Sequence, residues 1–218
     1  MSSTQDEFKL IRPKFINGIE NMSTKINEIE DEDKFEHIYI SDCIIENQIA
    51  YQVSFEGAVF KNVSFYDVAL ESLELTNVRF ENCDLSNVDF KGAIIHRTEF
   101  INCKLMGINL SNATFQNVYV KQCKGEFAFM RFIQMKKVIF KDSLLENSDF
   151  QNSTLSKTKF YNCNLQSSQM SGTSLSGIDL STSIVEGLGV RQQDIKGAIV
   201  SPMQAVDFSK LLGLVIKS

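Results

Sequence analysis

Proline and histidine are nearly absent from this chain, and each scarcity excludes something. The two prolines, Pro13 and Pro202, stand near the ends of the 218 residues, so no proline-rich linker divides the interior and a single domain is expected. The two histidines, His37 and His96, have no cysteine or serine nucleophile nearby in the stacking order derived below. The serines between Ser167 and Ser183 fall in repeat slots or corners and have no evident base. Glycines come singly, so no phosphate-cradling loop is formed. No enzyme activity, catalytic residue or cofactor is therefore expected. No apolar run reaches the length of a membrane span, and the polar, acidic start Met1-Ser2-Ser3-Thr4-Gln5-Asp6-Glu7 is unlike a secretory signal. The expectation is a soluble cytoplasmic protein with no membrane partner.

What the chain does have is a period of five. From Phe55 to Val185, positions divisible by five hold Phe, Leu, Ile, Val or Met in 26 of 27 slots, Gly125 being the exception. A chain with 43% hydrophobic residues would fill about 12 by chance. Two residues before each slot, from Val53 to Ser183, the occupant is small or β-branched except at Leu73. Two residues after it the chain prefers Asn, Asp, Gly and Ser, as at Gly57, Asn62, Asp67, Asn77 and Asn82, the types that tolerate a left-handed or bent backbone. Each unit is a short extended side followed by a corner.

Longer words recur every twenty residues. Phe60, Phe80, Phe100, Phe140 and Phe160 share one phase, with Val120 in the missing place. All five cysteines, Cys43, Cys83, Cys103, Cys123 and Cys163, share another. Four units thus make one coil of a four-sided, all-β solenoid, with coils stacked about 4.8 Å apart. The cysteines fall in inward slots, where a thiol acts as a small hydrophobe, so all five are expected to be buried and reduced. The stack brings Cys83 and Cys103 to disulfide distance. Parallel thiols in a ladder cannot converge on a metal, and no metal site is expected.

The unit resembles that of the pentapeptide-repeat proteins, as Ala113-Thr114-Phe115-Gln116-Asn117 and Ile178-Asp179-Leu180-Ser181-Thr182 show. The match covers about residues 38 to 200. It implies a right-handed quadrilateral β-helix. The tail from Gly187-Leu188-Gly189 through Ile195-Lys196-Gly197-Ala198-Ile199-Val200-Ser201-Pro202 to Leu211-Leu212-Gly213-Leu214-Val215-Ile216 also resembles the C-terminal cap of the Qnr and MfpA branch. That branch implies a homodimeric, DNA-shaped rod that occupies the DNA-binding saddle of gyrase or topoisomerase IV and protects against quinolones. It binds no nucleic acid itself.

Three segments follow: 1–37 as an N-terminal helical, acidic cap, 38–200 as the solenoid, and 201–218 as a capping and dimerisation helix. In the first, Phe15, Ile16, Ile19, Met22 and Ile26 are spaced for one apolar helix face. A cap over the first coil is expected, with a peptide-like arm for a partner as the other reading. In the last, Ser201 can cap a helix that Gly213 stops. Phe208, Leu211, Leu212, Leu214, Val215 and Ile216 exceed what a lid needs, and a two-fold contact is expected there.

Charge bears on the partner. Residues 41 to 200 hold 17 acidic and 15 basic residues, so the walls are nearly neutral. Columns change sign: Arg79 stacks toward Glu99, and Glu81 toward Ile101, Lys121 and Lys141. No loop interrupts the repeat. Apolar residues in outward slots, Tyr119, Phe127, Phe129, Phe132, Ile139 and Leu144, form a candidate partner surface unless a bulge between Lys121 and Lys137 tucks the aromatics inside. Two functional readings remain. One is a non-enzymatic scaffold or adaptor for an unknown protein; the alternative is the DNA-mimic modulator of a type II topoisomerase.

Overall fold

The structure is a computed structural model and describes residues 8–21 and 24–215. In chain order it contains a 3-10 turn (Ile19–Asn21), strands β1 (Lys34–Glu36), β2 (Tyr39–Ser41), β3 (Ile44–Tyr51), β4 (Ser54–Glu56), β5 (Val59–Lys61), β6 (Ser64–Glu71), β7 (Glu74–Glu81), β8 (Ile94–Ile101), β9 (Thr114–Lys121), β10 (Gln134–Lys141) and β11 (Thr154–Tyr161), then helix α1 (Pro202–Ser209) and a 3-10 turn (Lys210–Leu212). All strand pairs are parallel, and each residue pairs with the residue twenty positions on, as Phe80 does with Phe100. Walls without continuous strands keep the same offset through bridges such as Asp84 to Lys104 and Asp149 to Gln169. The chain is an all-β solenoid closed by one small C-terminal helix.

The corners explain the period of five. From Glu32 to Gly177 every fifth residue has a positive φ, four in each twenty-residue repeat of register. A left-handed residue costs an ordinary side chain roughly 1–2 kcal/mol, and Asn and Asp soften the cost through local hydrogen bonds. The corner side chains also form a ladder: Asn62 donates to Asp42 at 2.7 Å, Asn82 to Asn62 at 3.2 Å and Asn102 to Asn82 at 2.8 Å.

Inside, like stacks on like. The Phe60, Phe80 and Phe100 rings are parallel, with centroids 4.8 and 5.1 Å apart, and Phe140 lies 5.1 Å from Phe160. Cys83, Cys103, Cys123 and Cys163 are buried free thiols, whereas Cys43, in an early coil with no cysteine before it, is half-buried. The Cys83 thiol donates to the Phe60 carbonyl at 3.4 Å, and Cys123 to that of Phe100 at 3.4 Å. The stretch from Lys121 to Lys137 has no bulge, since Tyr119 pairs with Ile139 in register and Gln122, Phe127, Phe132 and Lys137 turn ordinary corners. Space beside Gly125 is taken by the Leu145 side chain, which lies 3.1 Å from where a Cβ would be.

The N-terminal segment departs from the expected helical cap. Among the described residues its only helix is the three-residue turn Ile19–Asn21; Met22 lies outside them. Residues 8–18 run as an irregular arm along the solenoid instead. Pro13 removes a helical donor, and corner asparagines supply the acceptors a helix would have provided. The Ile11 N–H donates to Asn117 Oδ1 at 3.3 Å, and the Lys14 N–H to Asn77 Oδ1 at 3.3 Å. Leu10 and Ile19 are buried, and Ile29 joins the main core.

At the other end Ser201 and Gln204 form a reciprocal capping box with Pro202 in the first turn. Gln204 also donates to the carbonyls of Leu180 at 2.8 Å and Ser183 at 2.6 Å, satisfying acceptors of a late coil. The chain leaves the second 3-10 turn through left-handed Gly213. No helix among the described residues is long and apolar enough to cross a membrane.

Candidate interaction surfaces

The arm organises one wall. Glu99, buried on β8, receives two guanidinium groups: Arg12 at 2.7 Å from the arm, and Arg79 at 2.9 Å from the preceding coil. A buried carboxylate held by two charge-assisted partners is satisfied without water. Arg12 also lies over the Tyr119 ring, 3.9 Å from its centroid, and Arg79 faces the arm's Phe15 ring at 5.2 Å. Phe8 stands over Lys159 at 5.2 Å. The arm therefore crosses successive coils from Lys159 toward Asn77. Residue periodicity pairs Arg79 with Glu99, whereas Arg12 belongs to no repeat and nothing in its spacing points there.

The six apolar outward residues separate. Phe127 and Phe132 turn two neighbouring corners, Phe129 sits on the wall between them, and all three are about half exposed. Asn109 and Asp149 flank Phe129 in the adjoining coils. Tyr119 and Ile139 are register partners in β9 and β10, on the wall that the arm meets, and Tyr119 is covered by Arg12. Leu144 is exposed on a third wall, between Lys124 and Asn164. The three phenylalanines thus share one coil, on two neighbouring corners and the wall between them, and the other three residues lie on other walls.

Ion pairs tie one coil to the next. Lys61 meets Glu81 at 3.4 Å, Lys91 meets Glu71 at 3.0 Å, Lys104 meets Asp84 at 2.8 Å, and Arg131 meets Asp149. His96 is partly buried, and burial followed by the adjacent Arg97 charge holds its pKa below the ordinary value. His37 turns a corner against Gly57.

Of the C-terminal residues expected at an interface, Phe208 packs on the core and, with Ile195, Ala198, Val200 and Leu212, lines a shallow apolar pocket. Leu211, Leu212, Leu214 and Val215 are exposed, Val215 at 89%. Ile216 lies outside the described residues. Met203 and Val206 add to the same exposed end.

A model of the pentapeptide repeat region matches residues 73–150, and one of eight pentapeptide-repeat copies matches residues 143–181. Among solved structures, HetL, a pentapeptide repeat protein involved in heterocyst differentiation regulation from the cyanobacterium Nostoc sp. strain PCC 7120, superposes with a TM-score of 0.56 at 14% identity, over 78% of this chain and 85% of that one. Full-length QnrB1, a plasmid-mediated fluoroquinolone resistance protein, aligns over 86% of this chain and 98% of that one at 17% identity, with a TM-score of 0.41. No curated protein sequence matches the chain. The two matches run together over residues 73–181, half of the chain, and the chain belongs to the pentapeptide-repeat family.

Proposed function

We propose that this protein is a non-enzymatic scaffold that binds another protein through the phenylalanine cluster on its middle coils. The observation that carries the reading is the placement of Phe127, Phe129 and Phe132. Three half-exposed aromatic rings on an otherwise regular wall leave apolar surface that a monomer gains nothing from displaying. Aromatic anchors on a rigid support are the usual centre of a protein interface. The right-handed quadrilateral cross-section implied by the family resemblance belongs to this proposal, as does a homodimer joined through the exposed C-terminal end. A DNA-shaped decoy has less support, because cross-coil ion pairs such as Lys104 with Asp84 interrupt any continuous negative stripe.

The test compares the wild type with F127S/F129S/F132S in affinity capture from the source cell, alongside a gyrase supercoiling assay. The expected result is a protein retained by the wild type and lost by the variant, with supercoiling unaffected. Inhibition of gyrase to the same degree by both proteins would replace the scaffold with the decoy.

A further inference from the structure

The ladders that tie the coils around Phe100 on every wall fail at one later place. β11 pairs with β10, and among the described residues no strand or bridge joins it to residues 174–181 of the next coil. The same two coils are held together on either side of the break, by the bridges from Asp149 to Gln169 and from Asn164 to Ile184. Leu175 N, Gly177 N and Leu180 N donate forward to Asp194 O, Gly197 O and Ile199 O at 2.8, 2.9 and 2.8 Å. One coil earlier the equivalent donors are Leu155 N, Lys157 N and Phe160 N, and no carbonyl of residues 174–181 accepts from them. Side chains record the same separation. A Cβ added at the corner glycines Gly57, Gly107 or Gly172 would come within 2.5 Å of the residue twenty positions back, whereas one at Gly177 would meet nothing within 4 Å. Leu155 is half-buried, although Leu75, Ile95, Phe115, Met135 and Leu175 of its column are buried. The buried Thr158 hydroxyl has no hydrogen-bond partner, while Ser148, Ser153, Ser168, Thr173 and Ser183 in like slots each donate to the carbonyl 23 positions back.

A recess of about 210 Å³ lies in this gap, lined by Phe8 of the arm, Lys157, Thr158, Lys159, Tyr161 and Gly177. Its lining selects a negative charge. Among the described residues neither Lys157 nor Lys159 is in an ion pair. Lys137 turns the same corner as Lys157 one coil earlier, and Lys141 is the register partner of Tyr161, so the neighbouring coil adds positive field. The carboxylate of Asp179, also at the recess, accepts from Ser181 N at 2.9 Å and Ser181 Oγ at 2.6 Å and is engaged by its own turn. Main-chain N–H groups without acceptors, a hydroxyl and two amines around one space form the donor set of an oxyanion. Rings flank it: Lys159 Nζ lies 5.2 Å from the Phe8 centroid and 5.6 Å from that of Tyr161. We infer that the break between β11 and the next coil binds a small aromatic molecule bearing a phosphate or carboxylate group. The amides of Lys157 and Phe160, the Thr158 hydroxyl and the two lysines hold the oxyanion, and the rings of Phe8 and Tyr161 cover the apolar body. The recess lies on the wall that the arm meets, apart from the phenylalanine cluster, so either reading can fail without the other.

The test titrates the full chain with phenyl phosphate, benzoate, inorganic phosphate and benzylamine in a calorimeter. Saturable binding of phenyl phosphate or benzoate is expected, and the tighter of the two identifies the oxyanion. Inorganic phosphate, which lacks the ring, is expected to bind at least about tenfold more weakly, and benzylamine, with its charge reversed, not at all. In the free protein hydrogen exchange is expected to be faster at the Leu155, Lys157 and Phe160 amides than at those of Leu175, Gly177 and Leu180. Exchange at Lys157 and Phe160 is expected to slow when the aromatic anion binds. The double variant K157E/K159E is expected to lose binding. Thr158→Val removes a hydroxyl that has no partner in the free protein, so it is expected to unfold in urea no earlier than the wild type and yet to bind at least about threefold more weakly. Equal protection of the two sets of amides in the free protein would show that the coils are joined there and overturn the proposal. So would binding of neither aromatic anion, binding of benzylamine or inorganic phosphate as tight as that of the aromatic anions, or unchanged affinity in both variants.

Discussion

Arg12 reaches Glu99 across 87 positions of sequence and closes on its carboxylate at 2.7 Å, opposite Arg79 on the other oxygen. Two guanidinium groups on one buried carboxylate give the arm a single anchoring charge. Arg12→Ala leaves Glu99 with Arg79, so the global loss is expected to stay within about 1 kcal/mol while the arm is released. Limited proteolysis should then cut between residues 8 and 18 much faster than in the wild type. Removing both arginines strands the buried charge and is expected to cost about 3–5 kcal/mol in denaturant unfolding. An arm equally protected in R12A would show that Leu10 and the asparagine contacts hold it unaided.

Phe100→Ala opens the aromatic stack beside Phe80 and is expected to cost roughly 3–5 kcal/mol, read by urea denaturation. Neighbouring coils are tied by backbone ladders on every wall, so collapse into the hole is limited. A loss below about 1 kcal/mol would mean that the coil had reclosed around the cavity.

The thiols make a graded prediction. In native buffer Ellman's reagent is expected to reach Cys43 and to leave Cys83, Cys103, Cys123 and Cys163 unreacted until denaturant is added. Burial pushes Cys163 from the ordinary 9.0 up to about 11. Its proton is therefore held more tightly in the folded state, and this group's stabilisation is intact below pH 9. It falls as pH rises from about 9 to about 11, because only the unfolded chain ionises there. Cys163→Ser is expected to flatten that part of the stability profile, and a profile equally steep in the variant would assign the loss to other groups.

The exposed C-terminal end predicts a dimer. Light scattering at micromolar concentration is expected to give twice the 24.7 kDa chain mass. Leu214→Asp with Val215→Asp should return it to the monomer, since both side chains are exposed and neither supports the last coil. A wild-type monomer would show that α1 and the turn after it serve only as a lid.

The inward columns were legible because each is written many times over: one misplaced residue in a column of Phe60, Phe80 and Phe100 would stand out. The asparagine corners were legible for the same reason. Contacts made once were not. The arm's grip depends on Arg12, Leu10 and Pro13, which no repeat echoes, and apolar spacing from Phe15 to Ile26 suggested a helix where Ile19 packs on the solenoid and Ile29 enters its core. The cluster at Phe127, Phe129 and Phe132 was visible as a break in polarity, yet Tyr119, Ile139 and Leu144 look like its neighbours only until walls are assigned.

The asparagine ladder makes the molecule a ruler with fixed graduations. Asn62, Asn82 and Asn102 occupy one corner at twenty-residue intervals, each amide donating toward the earlier coil and the series ending on the carboxylate of Asp42. Deleting residues 83–102 would join Asn82 to Cys103 and leave every column in phase, shortening the rod by about 4.8 Å. Deleting five residues would turn all later walls by one side and carry the phenylalanines to another face. Evolution can therefore alter the distance between the two ends in whole coils at little cost, but the angle between their surfaces changes only by a jump.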